Sequence, residues 1–263
     1  MTPRRYLFRA NACAFGGRIL RPRPVVLVSG ASSSIGVSGG RAEARARATH
    51  FKPYVRIGGA STRVEAKFDD LKAARALTEG VGQEAALATT SSAQAVVDGL
   101  LVSKRLAIRQ VRASLISRSA PEQGEPDIIV GRDTAIKGLT IDGFPVTVEL
   151  AVAAFATMAT HAAFVKAGAP GCQVPPDDTD PSKPVLATIV RSLRWTRKPH
   201  PEATIEGHVI RVPDFGRIYV GEIYITPDSR RLTLLRLRLG SPEGGMADFA
   251  EVETNGGWYP PVG

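Results

Sequence analysis

The residues best equipped for chemistry lie in Arg191–Lys198, RSLRWTRK, where Arg191, Arg194, Arg197 and Lys198 surround the indole of Trp195. Guanidinium groups beside an indole can hold a polyanion, or stack on a base or a sugar ring. The same composition suits a strand whose cations keep an exposed edge from pairing with another chain. Arg230, Arg231, Arg236 and Arg238 carry the same two readings, and alternation along an extended segment puts Arg236 and Arg238 on one face.

Other candidates are sparse. His50, His161, His200 and His208 are scattered, with no pair at metal-ligand spacing. His161 stands in an apolar stretch and reads as a hydrogen-bonded core histidine. Asp177, Asp178 and Asp180 could offer oxygens to calcium, but they sit between prolines and lack the glycine-bearing EF-hand pattern. Cys13 and Cys172 are isolated, which fits one disulfide in an oxidising compartment or two free thiols. There is no G-x-S-x-G elbow and no G-x-x-x-x-G-K-[ST] loop, so the residues call for no cofactor and no metal.

The composition says what must position these groups. The chain is 43% hydrophobic but only 6% aromatic, with 26 glycines and 19 prolines, which favours many short elements joined by tight turns. A net charge of +9 makes nucleic acid, anionic glycan and lipid head groups electrostatically compatible partners. No run approaches the ~18 apolar residues of a membrane span. The first twenty residues begin basic but hold no continuous apolar core of the secretory type.

Val209–Leu239 organises the rest. Val209–Val212, Arg217–Ile225 and Leu232–Leu239 alternate as strands, and Pro213-Asp214, Gly216 and Pro227-Asp228-Ser229 punctuate them, giving a β-meander. Tyr6–Ile19 is expected as a strand with Ala10, Ala12 and Ala14 on one face. Arg41–Thr49 is rich in the strong helix formers Ala, Arg and Glu, but its alanines fall at period two. On a helix that spacing would scatter them and on a strand it puts them on one face, so strand is favoured over helix. A short helix is expected from Asp69 to Gly80. Val96–Val102, Leu106–Ser117 and Leu186–Thr196 read as strands, and Asp142-Gly143 marks a hairpin within Ile136–Val148. Pro145 should begin its strand or lie at an edge.

Glu149–Ala167 is the best helix on sequence, with an acid in its first turn, Lys166 in its last and Gly168 beyond. It is apolar nearly all round, so burial on more than one side is expected, with Phe155, Met158 and Phe164 as candidate subunit contacts. The expected fold is therefore mainly β, a multi-stranded sandwich or β-solenoid with this one helix inserted. One domain fits the length; two lobes, 1–120 and 128–263, joined by the polar loop 120–127, are the alternative.

Two resemblances bear on function. Ser91-Ser92 through Gly99-Leu100-Leu101, IRQVRASLISRS, IKGLTIDGFPVTV, VIRVPDFGRIYVGEIYI and LTLLRLRL occur in an order and spacing that resemble the choice-of-anchor P family. That resemblance covers about two-thirds of the chain and implies a β-rich, non-enzymatic surface or structural protein, extracellular or at the cell surface. Such a protein would act by self-association or through a matrix. Val25–Gly36, VVLVSGASSSIG, resembles the opening of short-chain dehydrogenases, which would imply an NAD(P) oxidoreductase. Ser34 replaces the middle glycine, however, and no tyrosine stands four residues before a lysine.

Overall fold

The computed structural model describes residues 5–69, 88–120, 124–172 and 183–259. In chain order the strands are β1 (Arg5–Ile19), β2 (Val25–Leu27), β3 (Ser32–Ser34), β4 (Gly40–Ala46), β5 (Thr49–Phe51), β6 (Val55–Ile57) and β7 (Gly59–Phe68). Next come β8 (Thr89–Val102), β9 (Leu106–Ser119), β10 (Asp127–Val130), β11 (Ala135–Lys137), β12 (Leu139–Ile141) and β13 (Phe144–Leu150). After two short helices, α1 (Val152–Thr157) and α2 (His161–Lys166), follow β14 (Val185–Thr188), β15 (Val190–Trp195) and β16 (Thr204–Glu206). Finally come β17 (Val209–Val212), β18 (Gly216–Ile225), β19 (Ser229–Leu239) and β20 (Gly245–Tyr259). The helix expected from Asp69 to Gly80 lies almost wholly outside the described residues.

All strand pairs are antiparallel and fall into two sheets that pack as a sandwich. Sheet I runs β16-β17-β18-β19-β20-β1-β2, with β14 also on β18 and β3 also on β1. Sheet II runs β15-β13-β12-β9-β8-β6-β5, with β10 and β11 on β9 and β4-β7 on β8. The strands do not divide at the 120–127 loop: β1 pairs with β20, and β9 pairs with β10 across that loop. One continuous core joins the two inner faces, and the small alanine face of β1 (Ala10, Ala12, Ala14) is fully inside it. The meander and the hairpin form as expected, with Asp142 and Gly143 at φ 50° and 83° in the turn. The Leu186–Thr196 segment is two strands, not one: β14 belongs to sheet I, β15 to sheet II, and buried Ile189 is the crossing point.

Both sheets break their alternation along a line. In β1, β19 and β20 the consecutive residues Ala14/Phe15, Leu234/Leu235 and Phe249/Ala250 all point into the core. They stand opposite one another through the pairs Phe15↔Phe249 and Leu235↔Phe249, so the phase shift crosses the sheet. Left-handed residues Gly221 in β18 and Ala250 in β20 absorb the shift as a bulge does. Gly221 has a second task, because its Cβ would lie 2.9 Å from Ile189 at the crossing point. In sheet II the reverse occurs: Asp98 and Gly99 in β8 both point out, as do Arg109 and Gln110 in β9.

The expected five-turn helix is not formed. Glu149 and Leu150 belong to β13, where they pair with Ser192 and Val190 of β15. What remains divides at 158–160, because tertiary partners claim those carbonyls. The Arg230 guanidinium donates to Met158 O, to Ala159 O at 2.8 Å and to Thr160 O at 3.3 Å, and Ile128 N donates to Ala159 O. Thr160 then caps α2, its Oγ1 accepting from Ala163 N at 3.0 Å. Phe155, Met158 and Phe164 are 2%, 7% and 0% exposed within the core, so they cannot serve as subunit contacts. The expected burial on more than one side is not met, because the fold covers only one face of the segment. Phe155, Met158, His161 and Phe164 face the core, while Ala153, Ala156, Thr157 and Ala162 are exposed.

Candidate polyanion-binding surface

The residues of RSLRWTRK lie along β15 and just beyond its end, and among the described strands β15 is an outer strand of sheet II paired only with β13. They do not converge. Arg194 donates to Glu149 Oε1 at 2.7 Å, and Ser192 donates to the other oxygen of the same carboxylate at 2.9 Å. Those two hydrogen bonds, that of Ser192 first, hold Glu149 below the usual carboxylate range. Trp195 is half-buried and stacks on His200, with ring centroids 5.9 Å apart. His200 Nδ1 accepts from the backbone N–H groups of Glu202 and Ala203, so the imidazole proton sits on Nε2 and is donated to Asp142 at 3.1 Å. Asp142 also accepts a two-pronged contact from Arg105, which holds its carboxyl low. The indole is thus one end of a closed chain, Trp195–His200–Asp142–Arg105, rather than a free stacking platform. Arg191, Arg197 and Lys198 remain exposed.

The outer face of sheet I is different. Strand register lines up Arg211↔Arg217↔Arg238↔Met246↔Arg18↔Val26, one residue from each of β17, β18, β19, β20, β1 and β2. Every one of them is exposed. Neighbouring strands lie about 4.8 Å apart, so this ladder brings three consecutive arginines as close as a sheet permits. Like charges directly opposite one another are destabilising. Arg211 is partly offset by Glu206 at 3.0 Å, and Arg238 lies over the Tyr219 ring at 5.3 Å. Among the described residues, Arg18, Arg217 and Arg238 have no carboxylate at ion-pair distance.

The other arginines noted in the sequence are committed elsewhere. Arg236, two residues from Arg238 on the same face, is held by Glu222 at 2.7 Å and by Asp248 at 2.8 Å. Arg230 faces inward at 1% exposure, and burial pulls its guanidinium down to about 10, still protonated at neutral pH. Sequence reasoning missed Arg18, Arg211 and Arg217. Alternation alone could have put each on an outer face, but only register makes them neighbours.

Further along β1 and β20, away from the ladder, lies a shallow groove of about 260 Å3 lined by Asn11, Cys13, Ser33, Glu251 and Glu253. Its carboxylates are already engaged, Glu251 by Thr233 and Glu253 by Asn11 and Arg9. Cys13 and Cys172 are both free, and partial burial pushes the Cys13 thiol up, away from the reactive thiolate. His161 is buried with Nε2 3.2 Å from Lys183 O. Among the described residues, no three metal-ligating side chains gather. The dinucleotide-like stretch Val25–Gly36 makes β2 and β3, each antiparallel to β1, and the next element is strand β4 rather than a helix that could carry a phosphate.

A family model described as Domain of unknown function (DUF8256) matches residues 6–169 and 168–226. The chain belongs to this family. No curated protein and no solved structure matches it. The family match carries Arg18, Arg211 and Arg217, while Arg238 and Met246, which complete the ladder, stand beyond residue 226. No described helix is long and apolar enough to cross a membrane.

Proposed function

We propose that this DUF8256 member is a non-enzymatic β-sandwich module that holds on to an anionic matrix or surface through the outer face of sheet I. The observation that carries the reading is the Arg211–Arg217–Arg238 ladder. Three cations in register, only one of them ion-paired, raise the energy of the free protein, and a polyanion laid across them relieves it. The resemblance to choice-of-anchor P proteins points the same way, toward surface contact rather than catalysis. The RSLRWTRK strand fits less well as the contact, because Arg194 and Trp195 are already engaged within the fold.

The test is binding of the intact chain to heparin and to single-stranded nucleic acid across a salt series. The expected result is affinity that falls steeply with salt. The double variant Arg217→Glu with Arg238→Glu, both at exposed positions, should abolish that binding with no loss of thermal stability. Binding that is absent at low salt, or unchanged in the double variant, removes the proposal.

A further inference from the structure

The same ladder does not stay basic along its length. Past Arg238 it continues into Met246, Arg18 and Val26, and this corner collects most of the large apolar side chains that the described structure leaves in water. Leu20, Val26, Val28 and Met246 are 47%, 58%, 70% and 48% exposed, while only Val37 and Tyr224 share that condition elsewhere. Register keeps them together: Met246 and Val26 flank Arg18 on the outer face, and Leu20 and Val28 stand one residue past the ends of β1 and β2. Arg21 and Arg23 follow at once and are exposed as well.

Resting on the proposed adhesion to an anionic surface, we infer that this corner docks on the interface of an anionic lipid bilayer. A soluble polyanion rewards arginines alone and gives exposed valine, leucine and methionine nothing to bury against. A bilayer interface rewards both. Anionic head groups attract basic residues, and apolar side chains enter the boundary between head groups and acyl chains. Four exposed apolar side chains set around Arg18 on a rigid sheet meet both conditions, and exposed apolar surface gathered in this way marks an interaction site. The arginine row would lie along the head groups while the β1–β2–β20 corner dips beneath them. This is attachment from one side, with no crossing of the bilayer.

The test is flotation of the intact chain with vesicles of phosphatidylcholine alone and of phosphatidylcholine with one-third phosphatidylglycerol, alongside the heparin assay. The deciding variant is Val26→Thr, Val28→Thr and Met246→Gln together, which removes apolar surface while leaving every charge in place. The expected result is binding only to the anionic vesicles, weakened at least roughly tenfold in this variant while heparin affinity stays unchanged. Heparin binding without vesicle binding overturns the lipid inference and leaves the adhesion reading standing. Vesicle binding that the apolar variant retains in full also overturns it. Failure to bind either ligand ends both readings.

Discussion

The corner around Trp195 and the outer ladder of sheet I are both rich in arginine and aromatic side chains, yet one is closed and the other open. At the Trp195 corner, the two cations that flank the aromatic stack meet carboxylates: Arg194 meets Glu149, and Arg105 meets Asp142, while Arg191, Arg197 and Lys198 point to solvent around it. On the ladder, the next row along pairs Arg236 with both Glu222 and Asp248, while the row of Arg217 and Arg238 has no acid opposite. The difference lies in register, not composition. A carboxylate two positions along a strand neutralises its own row and leaves the neighbouring row charged.

Four substitutions probe that contrast. The largest effect is expected from Arg236→Ala. It takes the arginine from Glu222, whose side chain is 7% exposed, and from Asp248. Losing a largely buried charge-assisted contact should cost roughly 2–3 kcal/mol in denaturant unfolding. A stability within a few tenths of the unmodified chain would mean that this row is no more closed than its neighbour.

Asp142→Asn comes next. Asparagine tolerates the left-handed turn conformation, so the hairpin should survive while the charge-assisted contacts from Arg105 and His200 weaken. The expected loss is roughly 1–2 kcal/mol near neutral pH. Arg105 first, and then His200, hold the Asp142 carboxyl below its ordinary value. Its stabilisation is therefore complete above the usual carboxylate range and is lost as pH falls through the lowered folded value. Urea midpoints measured across the acid range should show variant and unmodified chain converging as pH falls, and a constant gap would contradict the assignment.

The smallest stability effects belong to Arg194→Gln and Arg238→Gln. Neither should move the melting temperature measurably, since both side chains are exposed. They should part on heparin, where Arg238→Gln lowers the salt slope by about one and Arg194→Gln leaves it unchanged. A lowered slope with Arg194→Gln and none with Arg238→Gln would place the contact on β15 instead.

Period-two patterning made much of the fold legible. The alanine faces of β1 and β4, the Asp142-Gly143 hairpin and the β17–β18–β19 meander were all readable, because each depends on residues close in sequence. Glu149–Ala167 misled for the opposite reason. Its alanines favour a helix locally, but β15 captures Glu149 and Leu150, and Arg230, some seventy residues away, draws off the carbonyls that a continuous helix would use. The phase shifts at Ala14/Phe15, Leu234/Leu235 and Phe249/Ala250 were hidden as well, since two adjacent apolar residues look alike whether or not a bulge stands between them.

The candidate site divides along the same line. Sequence by itself determined that the chain is basic, β-rich and supplied with arginines at alternating outward positions. Tertiary structure alone decided which of them are neutralised, which is buried and which stand in one row. The reason is physical: a side chain's face follows from its own strand, but its neighbours follow from register between strands far apart in the chain. Arg18 and Arg238 are 220 residues apart in sequence, yet each lies directly opposite Met246.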